Sequence, residues 1–270
     1  MTELITLNTG QHFLTLNPVL GGRAISWKIG GVELLASKSD HPIEFGMFVM
    51  GPWAGRLKDN TLEFGTTSFT FPATFEDWAI HGTTPSMEWQ VANQTATSCT
   101  LTCELGPTWP WQGQIVVDWK LSEQELQTTI TLSSQSANFP GVVGMHPWFS
   151  KKTIHGMAAW DIEHARLAER DSSFELSGKF LEVSASHGTF DDAFFSSDGR
   201  ATIHWGDKVA IEIQQSHEWF VVYDQEPSFT CIEPQTGPPN GINDSVIGST
   251  FVVTPEHPLQ QKISWKIIRG

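Results

Sequence analysis

Apolar and polar residues alternate with a period of two over much of this chain. In residues 99–105, for example, every second side chain is apolar, and threonine or glutamate stands between. This period is typical of a β-strand with one buried face. Turn-forming residues bound further alternating or apolar segments, and we predict strands at Phe64–Phe71, Ile115–Leu121, Leu126–Leu132, Val209–Ile213, Trp219–Tyr223, Phe251–Thr254 and Ile263–Ile267.

A pair of glycines predicts a β-hairpin near the start of the chain. Gly30 and Gly31 separate the alternating segments Ile25–Ile29 and Val32–Leu34, as expected for a tight turn between antiparallel strands. The helical period is nearly absent, and only Trp160–Arg170 is compatible with a short helix. Many short strands with frequent turns predict an all-β fold, either a sandwich or a barrel.

The acidic composition disfavours some classes of binding partner. With 16 basic and 30 acidic residues the formal net charge is −14, which disfavours binding to nucleic acids and to anionic membrane surfaces. No segment supplies the run of about 18 apolar residues that a membrane-spanning helix requires, and the N-terminus does not resemble a secretion signal. We therefore expect a soluble, cytoplasmic protein. No linker divides residues 1–270, so we expect a single domain.

The three cysteines do not predict a disulfide framework. Cys99 and Cys103 lie on the same face of one predicted strand, about 13 Å apart along it, whereas a disulfide requires Cα atoms within about 7 Å of each other. We expect buried, reduced thiols, as is usual in a reducing cytosol.

Several segments combine polar side chains with turn residues and aromatics, which is typical of sites carried on loops. His146 follows an apolar segment, and Pro147 favours an extended backbone at this histidine. Glu233 also ends an apolar segment, just before a proline. Taken singly, these residues have simple structural interpretations: a core histidine bound to a carbonyl, and a carboxylate at the surface end of a strand. Arg56 and His81 would likewise form a surface salt bridge and cap a turn.

Read in order, these segments form a set of motifs. The set consists of Gly-Pro-x-x-x-Arg at 51–56, His-Gly at 81–82 followed by Trp89, His-Pro-Trp-Phe at 146–149, Asp-x-x-Phe at 191–194, and Glu-Pro-Gln-Thr-Gly at 233–237. This ordered set resembles the aldose 1-epimerase (galactose mutarotase) family, and the resemblance extends over nearly the whole chain. It implies a large antiparallel β-sandwich that binds a sugar in a cleft on a concave face.

The resemblance also implies roles for individual residues. Glu233 matches the family's catalytic base, and His146 matches its catalytic acid. Substrate binding is implied for Arg56, His81, Asp191, Gln235 and Trp148. Asp192 adjoins Asp191, and the resemblance leaves open which of the two contacts the sugar.

The chain departs from the family pattern at Gly55, where Asn is usual, at Thr83, which replaces a second glycine, and at Trp148, where Tyr is common. These differences bear on the choice of sugar more than on the chemistry. We expect a nearby carboxylate such as Asp191 to raise the pKa of His146, and burial to raise the pKa of Glu233.

The implied substrate is a monosaccharide, and the acidic composition favours a neutral aldose. The reaction requires no cofactor, and we expect no metal site because none of the ten histidines has ligand spacing with another His or Cys. A mutarotase of an anionic sugar, such as a hexose 6-phosphate or a sulfonate, is an alternative. It would use basic groups among Arg56, Lys58, Lys151 and Lys152, although a solvated turn is the simpler interpretation of the lysine pair.

Two functions outside this family's reaction also fit part of the pattern. Glu233 and Asp191 would serve as the two carboxylates of a glycoside hydrolase, although this leaves His146 and His81 without roles. A carbohydrate-binding sandwich without catalysis is the other alternative. The sequence indicates no oligomeric state.

The tryptophans offer flat apolar faces to a sugar. In a binding protein, Trp53, Trp78 or Trp148 would act as stacking platforms. In a mutarotase, Trp53, Trp89 and Trp148 fall within the motif-bearing segments, so we expect them to form an aromatic wall beside the sugar.

Overall fold

The structure, a computed structural model, describes residues 3–37, 39, 41–171, 175–183, 189–243 and 251–269. Within these ranges the chain forms β-strands and two short 3-10 helices, Lys58–Asn60 and Thr84–Ser86. The predicted all-β fold is confirmed. Neither of these helices is long and apolar enough to cross a membrane.

The first strands are β1 (Ile5–Asn8), β2 (His12–Asn17), β3 (Arg23–Ile29), β4 (Val32–Glu33), β5 (Met47–Met50), β6 (Thr61–Phe64), β7 (Thr67–Thr70), β8 (Gln90–Gln94), β9 (Ser98–Glu104), β10 (Gly113–Leu121), β11 (Glu125–Ser134) and β12 (Phe139–Gly141). The remaining strands are β13 (Gly144–Pro147), β14 (Phe149–Ser150), β15 (Lys152–Thr153), β16 (Gly156–Ile162), β17 (Ala165–Arg170), β18 (Leu176–Glu182), β19 (Asp191–Ser196), β20 (Arg200–Trp205), β21 (Val209–Gln215), β22 (Trp219–Tyr223), β23 (Phe229–Gln235), β24 (Phe251–Val253) and β25 (Leu259–Arg269).

Most of these strands belong to two antiparallel sheets that pack face to face. The larger sheet has the order β1-β2-β3-β5-β13-β23-β22-β19-β17-β18, and β4 and β14 pair at its side with β3 and β23. The second sheet has the order β15-β16-β20-β21-β25-β11-β10-β9-β8, and the pairs β6–β7 and β12–β24 stand apart. This arrangement is the expected large antiparallel β-sandwich.

The hydrophobic core lies between the two sheets and is built by the alternating apolar residues. In β10, Ile115 and Trp119 are buried, and the residues between buried positions are half-buried or exposed. Aromatic rings join the sheets: Trp265 of β25 meets Trp27 of β3 and Phe149 of β14, edge to face, at centroid distances of 6.4 Å. Each such buried side chain contributes about 1.5–3 kcal/mol through removal of apolar surface from water.

Most predicted strands are confirmed, with small differences at their ends. The glycine hairpin is formed by β3 and β4. Cys99 and Cys103 lie in β9 and are buried free thiols, as expected, and Cys231 is also free and buried. Burial raises the pKa of Cys99 to about 11 and that of Cys103 to about 12, so both stay protonated.

Two predictions of local structure are wrong. The predicted strand Phe64–Phe71 is instead the end of β6, a turn and β7, because Gly65, at φ +63°, lies in the turn between these two strands. The possible helix Trp160–Arg170 is divided between β16 and β17, with His164 at φ +49° in the turn that joins them. Residues 160–162 are buried, exposed and buried in turn, which is the period of a strand.

Strands β5, β13 and β23, at the centre of the larger sheet, are buried on both faces. Their inner face packs into the sandwich core, where Met145 and Ile232 are fully buried. Loops flank their outer face, so polar side chains there are held away from bulk water. The candidate site lies on this outer face.

Candidate active site

A cleft of about 770 Å³ opens on the outer face of the larger sheet. Its floor is formed by β13, β23, β22 and β19, which are neighbours in the sheet. Alternate residues of a strand share a face, and Glu233 pairs with Val221 while Asp191 pairs with Tyr223. The register therefore places Glu233 and Asp191 on one face, and both line the cleft together with His146.

Glu233 and His146 are in direct contact at the base of the cleft. His146 Nε2 lies 3.2 Å from Glu233 Oε1, and the side chain of His146 is only 6% exposed and that of Glu233 only 2%. The imidazole stacks nearly parallel to Phe48, at a centroid distance of 4.8 Å, and to Trp148, at 5.4 Å. Gln235 Nε2 donates a hydrogen bond of 3.0 Å to Glu233 Oε2. Both members of the pair are thus fixed in place by neighbouring side chains.

Burial favours the uncharged forms of this pair. It raises the pKa of Glu233 well above its usual range, and the negative charge of Asp191 adds to this effect. It lowers the pKa of His146 well below its usual range, and His81 and Arg23 add to that effect. The expected direction for Glu233 is confirmed, whereas the expected rise for His146 is wrong because desolvation dominates. In these uncharged forms the carboxyl group of Glu233 carries a proton and the imidazole of His146 is neutral, so the pair shares one proton that can move between them.

His81 is held in a single tautomer by the backbone. Its Nδ1 accepts a hydrogen bond of 3.3 Å from the Gly55 amide, and because an amide only donates, Nδ1 carries no proton. Burial, and then the charge of Arg56, lowers the pKa of His81 to about 3. The ring is therefore neutral with its proton on Nε2, and it meets the His146 ring edge to face at 4.9 Å. His81 thus brings a hydrogen-bond donor into the cleft.

The cations among the described lining residues are each paired with a carboxylate. Arg56 Nη1 lies 3.6 Å from Asp191 Oδ2, Arg170 Nη2 lies 2.9 Å from Asp192 Oδ1, and Lys58 Nζ lies 3.8 Å from a Glu175 oxygen. Asp191 and Asp192 both line the cleft. Because Asp191 shares its face of the sheet with Glu233, it is the better placed of the two to meet a ligand there.

The model of the aldose 1-epimerase family matches residues 3–262 of this chain. The chain belongs to the aldose 1-epimerase family. The resemblance found in its motifs is therefore confirmed at the level of the family.

Other proteins are similar to this chain over most of their length. The uncharacterized protein YihR of Escherichia coli K12 is 24% identical over 271 residues, which cover 90% of this chain and 87% of YihR. A solved Escherichia coli K12 structure, itself a suggested aldose 1-epimerase, has a TM-score of 0.87 at 17% identity and 99% coverage of both chains. A galactose mutarotase-like protein of Clostridium acetobutylicum has a TM-score of 0.83 at 18% identity, covering 99% of this chain and 95% of its own. At these identities the solved structures establish the likeness of the fold.

Two further residues predicted for substrate binding line the cleft of this family member. Gln235 is fully buried, and its Oε1 has no hydrogen-bond donor among the described residues. Trp148 donates from Nε1 to the Ile43 carbonyl at 2.8 Å, which fixes its ring beside His146. A free acceptor and an aromatic wall thus adjoin the pair.

The prediction that Trp53 and Trp89 form an aromatic wall beside the sugar is wrong. Trp53 and Trp89 are 2% and 1% exposed and belong to the core. Trp53 packs on Phe71 and Trp109, outside the lining of the cleft. Trp78, by contrast, lines the cleft, and the Arg56 guanidinium lies 6.0 Å from its ring centroid.

Sequence reasoning missed other residues of the cleft, among them Arg170, Tyr223 and Asn240. Arg170 lay in the segment considered for a helix, and Tyr223 ends a predicted strand. The lone tyrosine was a usable signal, since a polar-tipped aromatic at a strand end often meets a ligand. Nothing in the sequence around Asn240 distinguishes it.

The lysine pair does not form a solvated turn. Lys151 is half-buried and its Nζ lies 2.8 Å from Asp224 Oδ1, while Lys152 begins strand β15 and is exposed. Neither lysine is among the described residues that line the cleft.

Among the described residues, two groups of side chains bring possible metal-ligand atoms close together. In the first group, ligand atoms of His146, Cys231 and Glu233 lie within 4.8 Å of one another, and Cys231 is fully buried outside the lining of the cleft. Burial raises the pKa of the Cys231 thiol well above its usual range, which disfavours the thiolate that a metal requires. The second group contains His164 and Asp198 and lies at the surface.

Proposed function

We propose that this protein is an aldose 1-epimerase that interconverts the α and β anomers of a neutral aldose, with Glu233 as the base and His146 as the acid. The observation that carries this proposal is the 3.2 Å contact between Glu233 and His146 at the base of the cleft. The anomeric oxygen O1 and the ring oxygen O5 are bonded to the same carbon. A base for O1 and an acid for O5 must therefore be close neighbours, as these two side chains are.

Ring opening moves two protons and breaks one carbon–oxygen bond. Glu233 removes the proton of the O1 hydroxyl, the electrons of that bond form the C1=O1 double bond, and the C1–O5 bond breaks. His146 gives its proton to O5, so the sugar becomes the open aldehyde. Rotation about C1–C2 presents the other face of the aldehyde, and the same steps in reverse close the ring. Each well-placed acid or base contributes about 10²–10⁴-fold to the rate.

The number of protons on the pair stays constant through this cycle. Opening converts a carboxylate and an imidazolium into a carboxylic acid and a neutral imidazole, and closing reverses the change. The uncharged arrangement is the one that burial favours in the empty cleft. Transfer of the proton from Glu233 to His146 across their contact restores the reactive arrangement without any net charge entering the cleft.

The remaining predicted residues are assigned to orienting the sugar. Arg56 supplies a planar set of donors, and the Nε2–H of His81 is a further donor. Asp191 and the free Oε1 of Gln235 accept hydrogen bonds from sugar hydroxyl groups. The flat face of Trp148 packs on the CH-rich face of the ring. Fixed orientation matters because rate depends strongly on the geometry of approach.

The charges around the cleft support a neutral substrate. Among the described residues of its lining, carboxylates outnumber cations, and each of these cations already has a carboxylate partner. A phosphorylated sugar would have to displace these carboxylates and would meet the remaining negative charge.

The test is the exchange of anomers, followed by polarimetry or by NMR saturation transfer. We expect saturable acceleration with neutral aldoses, and a kcat/KM at least tenfold lower for the matching hexose 6-phosphate. Binding of sugars without acceleration would identify a carbohydrate-binding protein instead and would overturn the proposal. A preference for the phosphate would overturn the assignment of a neutral substrate.

A further inference from the structure

A row of side chains crosses the larger sheet from β3 to His146. Phe48 of β5 pairs directly with His146 of β13. On the other side of β5, Met47 pairs with Ala24 of β3, so the residues one position further along, Phe48 and Arg23, also lie side by side. The Arg23 guanidinium carbon is 4.9 Å from the centroid of the Phe48 ring, and the same ring stacks on His146 at 4.8 Å. The backbones of Arg23 and His146 are thus two strand spacings apart, about 9.6 Å.

Arg23 is a buried cation without a carboxylate partner. Its side chain is fully buried, and none of the ion pairs among the described residues includes it. Its guanidinium lies over the Phe45 ring, 4.6 Å from the centroid. It donates hydrogen bonds to the backbone carbonyls of Leu20, Pro42, Phe45 and Pro85. Aromatic faces and carbonyl dipoles stabilise the guanidinium, but they carry no net negative charge that would cancel its own. Its positive charge therefore acts on the groups around it.

Other charged or titratable groups also surround His146. Besides its partner Glu233, those of the described residues that act on the pair from neighbouring strands and loops are His81, Cys231, Arg56 and Asp191. His81 is neutral above about pH 3, and burial raises the pKa of the Cys231 thiol, so that it stays protonated. Arg56 lies 3.6 Å from Asp191, and the two opposite charges largely cancel. None of these groups holds an unpaired positive charge near His146 at neutral pH.

Arg23 does supply such a charge. Burial lowers the pKa of Arg23 to about 10, so the guanidinium is protonated at neutral pH. A unit charge at two strand spacings in a protein changes the proton affinity of a second group by about one pH unit. Burial is the main cause of the low pKa of His146, and the charges of His81 and Arg23 add to it. Because His81 is charged only in strong acid, Arg23 is the one of the two that opposes an imidazolium at neutral pH.

We propose that Arg23 is a positioning residue, whose positive charge determines where the proton of the Glu233–His146 pair resides. Acting across the Phe48 ring, it keeps this proton on Glu233 in the empty cleft. It also makes the His146 imidazolium a stronger acid, which gives its proton to O5 of the sugar more readily. Arg23 is not among the described residues that line the cleft, so it reaches the sugar only through His146. This inference rests on the proposed function, because it concerns the same pair.

The pH dependence of kcat/KM for anomer exchange tests this role. The pair is active with one proton, so the rate falls in acid, where the pair binds a second proton, and in alkali, where it loses the last one. Arg23→Met removes the positive charge and keeps a long apolar side chain. Proton binding to the pair then becomes more favourable, and we expect both limbs of the profile to move to higher pH, the acid limb by about one unit.

A second variant neutralises the charge of Arg23 without removing its side chain. In Phe45→Glu, the new carboxylate takes the place of the ring beside the guanidinium, and we expect the profile to move in the same direction. Phe45→Leu is the matched control, because it changes the packing at the same position and leaves the charge unpaired, so the limbs should stay at the wild-type pH. NMR of isotope-labelled histidine follows the His146 imidazole directly, also where a variant has little activity. We expect His146 to bind its proton at a higher pH in both charge variants.

A purely structural role of Arg23, as a link between the loops whose carbonyls it binds, would lower stability or kcat in Arg23→Met and leave the limbs in place. Wild-type limbs and a wild-type titration of His146 in either charge variant that folds would overturn the inference and leave the proposed function intact. A shift in Phe45→Leu equal to that in Phe45→Glu would also overturn it. Failure of the wild-type protein to accelerate anomer exchange would overturn the proposed function itself.

Discussion

His81 shows how a single side chain is tuned by its surroundings. Its φ of +60° is unusual for a residue other than glycine. In this conformation His81 is hydrogen-bonded to Gly55 of the loop at 51–56. The Gly55 amide donates to Nδ1 while the His81 amide donates to the Gly55 carbonyl at 3.0 Å. One residue thereby fixes a loop and presents an uncharged donor to the cleft.

The low pKa of His81 predicts a loss of stability in acid. Between pH 6.5 and about 3, the unfolded chain binds a proton at this histidine and the folded protein does not. The free energy of unfolding should therefore fall by about 1.4 kcal/mol for each pH unit below 6.5 on account of His81 alone. Chemical denaturation of the wild type and of His81→Gln at pH 7, 6 and 5 measures the difference in slope.

His257→Gln is the matched control for this measurement, because His257 is exposed. It should keep the pH dependence of the wild type. A His81→Gln protein with the same pH dependence as the wild type would show that His81 takes up its proton in the folded state, contrary to the account.

At the scale of elements, the loops at 51–56 and 79–84 are joined by a close approach of two glycines. Gly51 and Gly82 form a parallel β-bridge, and Gly82 has φ +83°. A Cβ built on Gly82 would lie 2.0 Å from the Gly51 carbonyl oxygen, which leaves no room for any side chain. This contact sets the relative positions of Arg56 and His81.

Gly82→Ala should therefore lower the free energy of unfolding by more than an alanine in a left-handed backbone conformation usually does. Gly65→Ala is the matched control, since Gly65 has φ +63° but nothing within 4 Å of a built Cβ. We expect a loss of about 1 kcal/mol in the free energy of unfolding for Gly65→Ala and of about 3 kcal/mol or more for Gly82→Ala. Urea denaturation distinguishes these values, and equal losses would mean that the loops separate freely.

The elements also show what the sequence predicts and what it does not. Period-two alternation located strands such as β10 and β22, because alternation is a local consequence of a half-buried strand. It missed the turn at Gly65, since one glycine within the segment Phe64–Phe71 does not reveal whether the chain reverses there. The burial of Trp53 depends on Phe71 and Trp109, which lie far from it in sequence.

The same limit applies to the site. The ordered motifs identified Glu233, His146 and Arg56 as candidates, and the structure brings all three to one cleft. The contact between Glu233 and His146 depends on the pairing of β13 with β23, which no local pattern specifies. The direction of the pKa shift at His146 depends on burial by residues from several strands, and for that reason it was predicted wrongly.

At the scale of the whole molecule, the sandwich holds the polar pair Glu233 and His146 at a buried position, away from bulk water. The larger sheet packs one face into a shared core, and the loops flank the other face around the cleft. Since burial favours the uncharged form of Glu233, glutamine can replace it with little change in size or charge. The Glu233→Gln protein should therefore fold normally, so that a loss of its activity reports on chemistry.

The most direct test of the account is the anomer exchange rate of Glu233→Gln and His146→Asn, measured by NMR saturation transfer at saturating sugar. Each variant is expected to lose about 10²–10⁴-fold in rate, while Glu123→Gln and His257→Gln, at exposed positions, keep the wild-type rate. Wild-type exchange in either the Glu233→Gln or the His146→Asn protein would contradict the assignment of this pair as base and acid.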